Sequence, residues 1–313
     1  MIAFYFFYYY FKSYFFHNNA LLLERKITTL KKSIIIYIQN FKLGLVILHQ
    51  KILKDQLGRN VSISPPVKRI ISLVPSQTEL LFDLGLKGCI IGITKFCVHP
   101  PSLKKSKVIV GGTKNINLKK IKALKPDIIL CNKEENTKEI VKSCEKIAPV
   151  HVSNIQTIHD TLLLINQYAY LFHCHAKANE ITKEIHFKLS AFKDFVRNKG
   201  AKKCVYFIWK SPWMVAANNT FINHLLKVNK LDNVYHYKKR YPEITLTELS
   251  LKDNVELLFL SSEPYPFKEK HAIEIKKSFP TAKVILVDGE MFSWYGSRLL
   301  KAFDYFRALH RQI

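Results

Sequence analysis

Two blocks of alternating strand and helix signals, parted by a long stretch with helical period and no strand signal, constrain this chain more than any single residue does. The first block opens with the apolar run Arg69-Ile-Ile-Ser-Leu-Val74, ended by Pro75. Strand signals follow at Ile90–Thr94, Lys107–Val110 and Ile128–Cys131, with a helix around Leu118, Ile121 and Leu124. Ser76 with Glu79 at the third helical position reads as a capping box opening the first helix. The second block has strands at Cys204–Trp209, Val255–Leu260 and Lys283–Val287, with helices at Phe221–Leu226 and Leu246–Leu251. Between the blocks, residues 156–198 are helical in period, with a break at His173-Cys174-His175. The run Ala176–Asn198 would span about 35 Å at 1.5 Å per residue. Strands alternating with helices give parallel sheets. The expected fold class is therefore α/β: two Rossmann-like lobes with parallel sheets, joined by one long backbone helix, with a ligand cleft between the lobes. The lobes are expected at 67–152 and 201–313, and the connecting helices at 153–200.

Residues 1–50 differ from the rest. They begin with the aromatic run Phe4 to Phe11, which precedes the first charged side chain, Lys12, and no small-residue cleavage site follows. The apolar stretch Ile34–Leu48 is broken by Gln39, Asn40 and Lys42, too polar for a confident membrane span. No cysteine precedes Cys89, so no lipoprotein anchor is expected. The segment reads either as an over-extended start of translation or as a degraded anchor.

A net charge of +25 raises nucleic-acid binding first, because a basic chain gains by releasing counterions from phosphates. The lysines are spread over the whole chain in short runs such as Lys119-Lys120 and Lys276-Lys277, the pattern of solvated helix faces. No nucleic-acid partner is expected. The six cysteines form no CxxC pair and sit among apolar neighbours, as free buried thiols do. A catalytic motif is missing as well: there is no P-loop, no G-x-S-x-G and no H-E-x-x-H. His173-Cys174-His175 makes a poor zinc site, since adjacent ligands on a helix point apart. The expected function is binding and not catalysis, with no catalytic residue, metal site or cofactor of the protein's own.

Ligands of parallel sheets bind beyond the carboxyl ends of the strands. The first block offers Pro75, Ser76, Phe96, His99 and Asn132 there. The second offers Trp209, Trp213, Glu263, Phe292, Trp294 and Tyr295. All three tryptophans of the chain are in this set. Tryptophan and tyrosine give large rigid contact area with a polar handle, although any one aromatic after a strand fits a core equally well. His99 could ligate the metal of a bound chelate, or simply cap its loop.

Arg69-Ile-Ile-Ser-Leu-Val-Pro-Ser-Gln-Thr-Glu-Leu80 resembles the opening motif of the vitamin B12 and ferric-siderophore class of substrate-binding proteins. Gly111-Gly-Thr, Asn117-Leu118 and Leu124-Lys-Pro-Asp-Ile-Ile-Leu130 are similar to it too. In the second block, Arg240-Tyr-Pro-Glu243, Ser261-Ser-Glu-Pro264 and Trp294-Tyr-Gly-Ser-Arg298 match. Asp55-Gln-Leu-Gly-Arg59 is similar to the family's leading hairpin, placed here at 51–66. The resemblance implies a monomer that captures a small-molecule metal chelate outside the inner membrane, in the periplasm or cell envelope, and delivers it to an ABC permease. It also implies aromatic contacts from Phe96 and Trp209 to a corrin. Docking on the permease would use one acidic residue per lobe. Lys138 occupies the first-lobe position with Glu135 and Glu139 nearby, and Glu243 and Glu248 are the second-lobe candidates.

An aromatic, largely uncharged pocket favours a corrinoid of the vitamin B12 type, because anionic siderophores call for clustered arginines and only Arg298 is placed for that. The alternatives are a ferric-siderophore or haem receptor of the same fold, and a cytoplasmic corrinoid-handling protein or enzyme on the same scaffold. Free thiols and the lack of a clean signal peptide suit the last.

Overall fold

The computed structural model describes residues 28, 30–36, 51–252 and 254–313. The chain forms two compact units, 1–50 and 51–313. In the first, the described residues are helical; the aromatic run Phe4 to Phe11 and most of the stretch Ile34–Leu48 lie outside the described residues.

The second unit begins with an antiparallel hairpin, β1 (Lys51–Lys54) and β2 (Asn60–Ile63). Asp55 closes its turn, accepting from the backbone N–H of Leu57 and of Arg59. A five-stranded parallel sheet follows, in the order β5 (Val108–Ile109), β4 (Ile90–Ile93), β3 (Ile70–Ser72), β6 (Ile128–Asn132) and β7 (Val150–Ser153). Its central strands are apolar on both faces, as a sheet covered on both sides requires. Ile70, Ile71, Ile128 and Ile129 are all fully buried. The last strand signal of the first block in the sequence is Ile128–Cys131; the structure adds Val150–Ser153, which pairs with β6 and completes the sheet.

Two helices connect the lobes, α5 (Ile158–Phe172) and α6 (His175–Val196). They part at His173, which takes the left-handed conformation that ends a helix. Thr157 and Asp160 form a capping box on α5. Thr157 Oγ1 accepts from the Asp160 N–H at 3.1 Å, and Asp160 Oδ2 accepts from the Thr157 N–H at 2.9 Å. Thr157→Ala is expected to cost about 1 kcal/mol in denaturant unfolding, and Thr157→Ser close to nothing.

The second sheet runs β11 (Glu243–Ile244), β9 (Trp213–Val215), β8 (Lys202–Trp209), β12 (Leu257–Ser261), β13 (Lys283–Val287), with β10 (Leu231–Asn233) beside the start of β8. Here the structure corrects the expectation of a purely parallel sheet, since β9 is antiparallel to β8 and to β11. Only Lys210, Ser211 and Pro212 separate β8 from β9. A parallel crossover needs a dozen residues or more, so the strand must turn straight back.

The main core is continuous across both lobes. It runs from Ile70 and Leu130 through Tyr168, Ile181 and Phe192 to Tyr206, Phe259 and Phe306. A core shared in this way joins the lobes by packed side chains as well as by the helices between them.

Candidate functional site

The floor between the two sets of strand ends is closed by side chains from both lobes. Helix α1 (Pro75–Asp83) starts on Pro75, with Val74 as its cap residue and no side-chain cap. The expected capping box is therefore not made. Glu79 is instead buried and accepts from Arg298 Nε at 2.8 Å, while Arg298 Nη1 lies 3.2 Å from Glu290. A carboxylate this deep needs a positive partner, which here comes from the other lobe.

Tyr295 is buried as well. Gln77 Nε2 donates to the Tyr295 hydroxyl at 2.9 Å and to Ser153 Oγ at 2.6 Å, and the Tyr168 hydroxyl donates to Gln77 Oε1 at 2.7 Å. Burial pushes the Tyr295 phenol up to about 12. Asn132 is buried in the same network, its Nδ2 donating to Ser153 Oγ at 2.9 Å and its Oδ1 accepting from the Glu134 N–H at 2.7 Å. Pro75, Ser76, Asn132 and Tyr295 thus form the sealed floor and leave little surface to a ligand.

Trp294 belongs to the seam as well. Its Nε1 donates to Glu263 at 3.0 Å, the Arg298 guanidinium lies 4.9 Å over its ring, and the His99 ring meets it edge-on at 5.4 Å. His99 Nε2 is 2.8 Å from Glu290 Oε2. That nitrogen is engaged by an acid of the second lobe, 191 residues away, so the contact is an inter-lobe one and not a cap on the histidine's own loop. Phe292 points the other way, fully buried among Tyr206, Phe259 and Phe306. It is a core residue of the second lobe, not part of the cleft. Trp213 stacks on Phe267 and meets Phe207, on the far face of the second sheet.

Two aromatic side chains stay open at the strand ends. Phe96, after β4, is 49% exposed, and Trp209, at the end of β8, is 40% exposed. Phe96 lies over the Gly111-Gly112 turn. Gly111 has φ +124°, and a Cβ there would sit 2.5 Å from the Asn115 carbonyl oxygen; a Cβ on Gly112 would sit 3.2 Å from the Phe96 ring. Gly112 lets the ring lie against the backbone, and Gly111 lets the turn close on Asn115. Trp209 is braced edge-on by Tyr265 at 5.5 Å. A recess of about 530 Å³ opens at the ends of β12 and β13, lined by Ser262, Glu263, Leu286, Val287, Asp288 and Glu290.

Glu263 is the most perturbed acid of this surface. Burial raises its carboxyl from the ordinary 4.5 to about 7, helped by the charge of Glu290 and opposed by hydrogen bonds from Ser293 and Trp294. Between pH 4.5 and 7 the folded protein keeps a proton that the unfolded chain has released, so stability falls as pH rises through this window. Glu263→Gln keeps an acceptor for Ser293 and Trp294 and should flatten that fall in pH-dependent denaturation; an unchanged slope would show that Glu263 is ionised throughout. Glu290 was not foreseen from the sequence. Its signal was the short Asp288-Gly289-Glu290 turn, where a Cβ on Gly289 would meet Ser261 Oγ at 2.4 Å.

A second recess, of about 640 Å³, lies between the hairpin and α5. Its polar walls bond to one another, Gln56 Nε2 to the Asp160 carbonyl at 2.8 Å and Gln167 Nε2 to that of Lys54 at 2.9 Å. The face of its aromatic residue, Tyr170, is covered by Lys51 Nζ at 4.5 Å. The strand-end surface is the better candidate.

Of the expected docking residues, Glu139 and Glu243 are exposed, Glu248 pairs with Lys238 at 2.8 Å, and Glu135 is partly buried, with burial raising its carboxyl pKa. All six cysteines are free. Among the described residues no helix is long and apolar enough to cross a membrane.

The profile of the family described as periplasmic binding protein matches residues 70–283. An uncharacterized ABC transporter substrate-binding lipoprotein of Bacillus subtilis is 27% identical over 183 residues, 56% of this chain and 57% of that protein. This chain thus spans little more than half the length of that relative. A vitamin B12-binding protein of Vibrio parahaemolyticus is 23% identical over 198 residues, 63% of this chain and 71% of that one. Among solved structures, the apo periplasmic heme-binding protein RhuT from Roseiflexus sp. RS-1 superposes with a TM-score of 0.68 at 14% identity, covering 78% of this chain and 98% of that one. At that identity the likeness speaks for the fold alone.

Proposed function

The chain belongs to the periplasmic binding protein family, and on that premise we propose that it is the substrate-binding component of an ABC importer, capturing a corrinoid between Phe96 and Trp209. The observation that carries this reading is a contrast at the strand ends. Two aromatic faces stay exposed there, while Arg298 is buried against Glu79 and Glu290. Arg240, the next guanidinium, is taken by Glu134 at 3.0 Å. A ligand rich in carboxylates, such as a ferric siderophore or haem with its propionates, needs open arginine forks. A corrin ring fringed with amides needs flat apolar contact, which Trp209 and Tyr265 offer, and polar partners for its amides, of which Glu263 at the recess is one.

The sequence likeness to a vitamin B12-binding protein supports the same choice, and the fold match to a heme-binding protein keeps haem as the rival. Delivery would follow docking of Glu139 and Glu243, one on each lobe, onto basic residues of the permease. Such a protein works in the cell envelope. Visible absorbance of the purified chain mixed separately with cyanocobalamin, haemin and a ferric siderophore tests the assignment. Retention of the cobalamin spectrum through gel filtration supports it, and retention of haemin or siderophore in its place refutes it.

A further inference from the structure

The lysines of the first lobe are not evenly placed. Residues 84–126 contain no aspartate, glutamate or arginine, yet they carry lysines throughout. The fold gathers many of them along one edge of the first sheet. Helix α2 (Pro101–Ser106) runs directly into the edge strand β5, and helix α3 (Leu118–Ala123) returns against it, with Lys120 Nζ 3.4 Å from the Ile109 carbonyl oxygen. Lys104, Lys105, Lys119, Lys120, Lys122 and Lys125 are all exposed around this strand, and none of them makes an ion pair among the described residues. Val108 and Leu118, 41% and 39% exposed, sit among them.

We infer that this edge rests on a bilayer surface rich in anionic lipid headgroups. Sequence-reading contacts to nucleic-acid bases and the hot spots of protein interfaces draw on arginine forks and aromatic anchors. Residues 84–126 have no arginine, tryptophan or tyrosine, and their one phenylalanine, Phe96, stands at the cleft. Lysines with a few exposed aliphatic side chains suit the diffuse attraction of a charged membrane, where each adds about a factor of five in partitioning. The six lysines flank the strand, so a molecule lying on this edge has its diffusion confined to the membrane plane.

The test is co-sedimentation of the full chain with vesicles of phosphatidylcholine, with and without phosphatidylglycerol. One variant replaces Lys104, Lys105, Lys119 and Lys122 by glutamine. A second, of equal net charge, replaces the exposed Lys183, Lys193, Lys270 and Lys277. All eight side chains are exposed, so both variants should melt like the parent, and the melts verify that each is folded. The inference predicts that the edge variant loses about a hundredfold or more in partitioning onto phosphatidylglycerol vesicles, with the control far less affected and salt abolishing the parent's binding. Equal losses in the two variants would overturn it, because total charge would then be the whole effect. Loss of binding to soluble polyglutamate with vesicle binding intact would overturn it too, in favour of an acidic protein partner.

Discussion

Replacing Arg298 by methionine is expected to lower the stability of the protein by about 3–5 kcal/mol, the cost of leaving a buried charge without its partner. The Arg298 and Glu79 side chains are only 4% and 5% exposed, and their 2.8 Å contact joins the first helix of one lobe to the last helix of the other. Lys301, at 3.4 Å from Glu79, is largely exposed and can replace little of the lost attraction. Adding Glu79→Leu to Arg298→Met should restore much of the loss, because a buried ion pair exchanged for apolar groups of similar volume is often neutral. The arginine carries an inherent cost as well: its Nη2 is buried without a partner in the described structure. Guanidinium unfolding of the parent, the single variants and the double variant measures all of this. A single-variant loss below about 1 kcal/mol would mean that Glu79 is hydrated once unpaired and that the lobes are not clamped there.

Phe96→Ala and Trp209→Ala should act on the ligand and leave the fold alone. Each ring is nearly half exposed in the free protein, so truncation removes few core contacts; Trp209 loses its edge contact with Tyr265, a matter of about 1 kcal/mol. Covering such a ring with a corrin is worth about 1.5–3 kcal/mol by area, so each variant should bind about tenfold to a hundredfold more weakly. Substitution of Lys138, on the outer helix α4 (Lys138–Glu145), or of Glu248 should leave affinity unchanged. Trp294→Ala should differ in kind, since that indole is tied to Glu263 and Arg298 and its loss falls on stability as well as on binding.

Much of the fold was legible because the central strands are continuous apolar runs. β3, β6, β8 and β12 read directly from Ile70-Ile71, Ile128-Ile129-Leu130, Val205-Tyr206-Phe207 and Leu257-Leu258-Phe259. Val150–Ser153 was missed because His151 interrupts it in sequence, although in the fold that histidine is fully buried and bonded to Gln167. The strands of two or three residues in the second lobe are too short to show any period. The site was less legible, for two physical reasons. Ser76 and Glu79 have the spacing of a capping box, and what overrides that local pattern is an ion pair 219 residues away in sequence. Phe292, Trp294 and Tyr295 are near neighbours with the same chemistry, yet one enters the core, one the seam and one the floor. Direction around a short helix end is set by packing that a sequence does not display. Phe96 and Trp209 were singled out by resemblance, and what the fold adds is that their rings remain open.

The corrinoid assignment rests on those two open rings. Calorimetric titration of cobalamin into the parent and into the Phe96→Ala/Trp209→Ala double variant, with melts of both unliganded proteins, tests this most directly. If both rings face the ligand, melting is similar and the affinity of the double variant is lower by about a hundredfold or more. Equal affinity for the two proteins, or a parent that takes up haemin and no cobalamin, would contradict it.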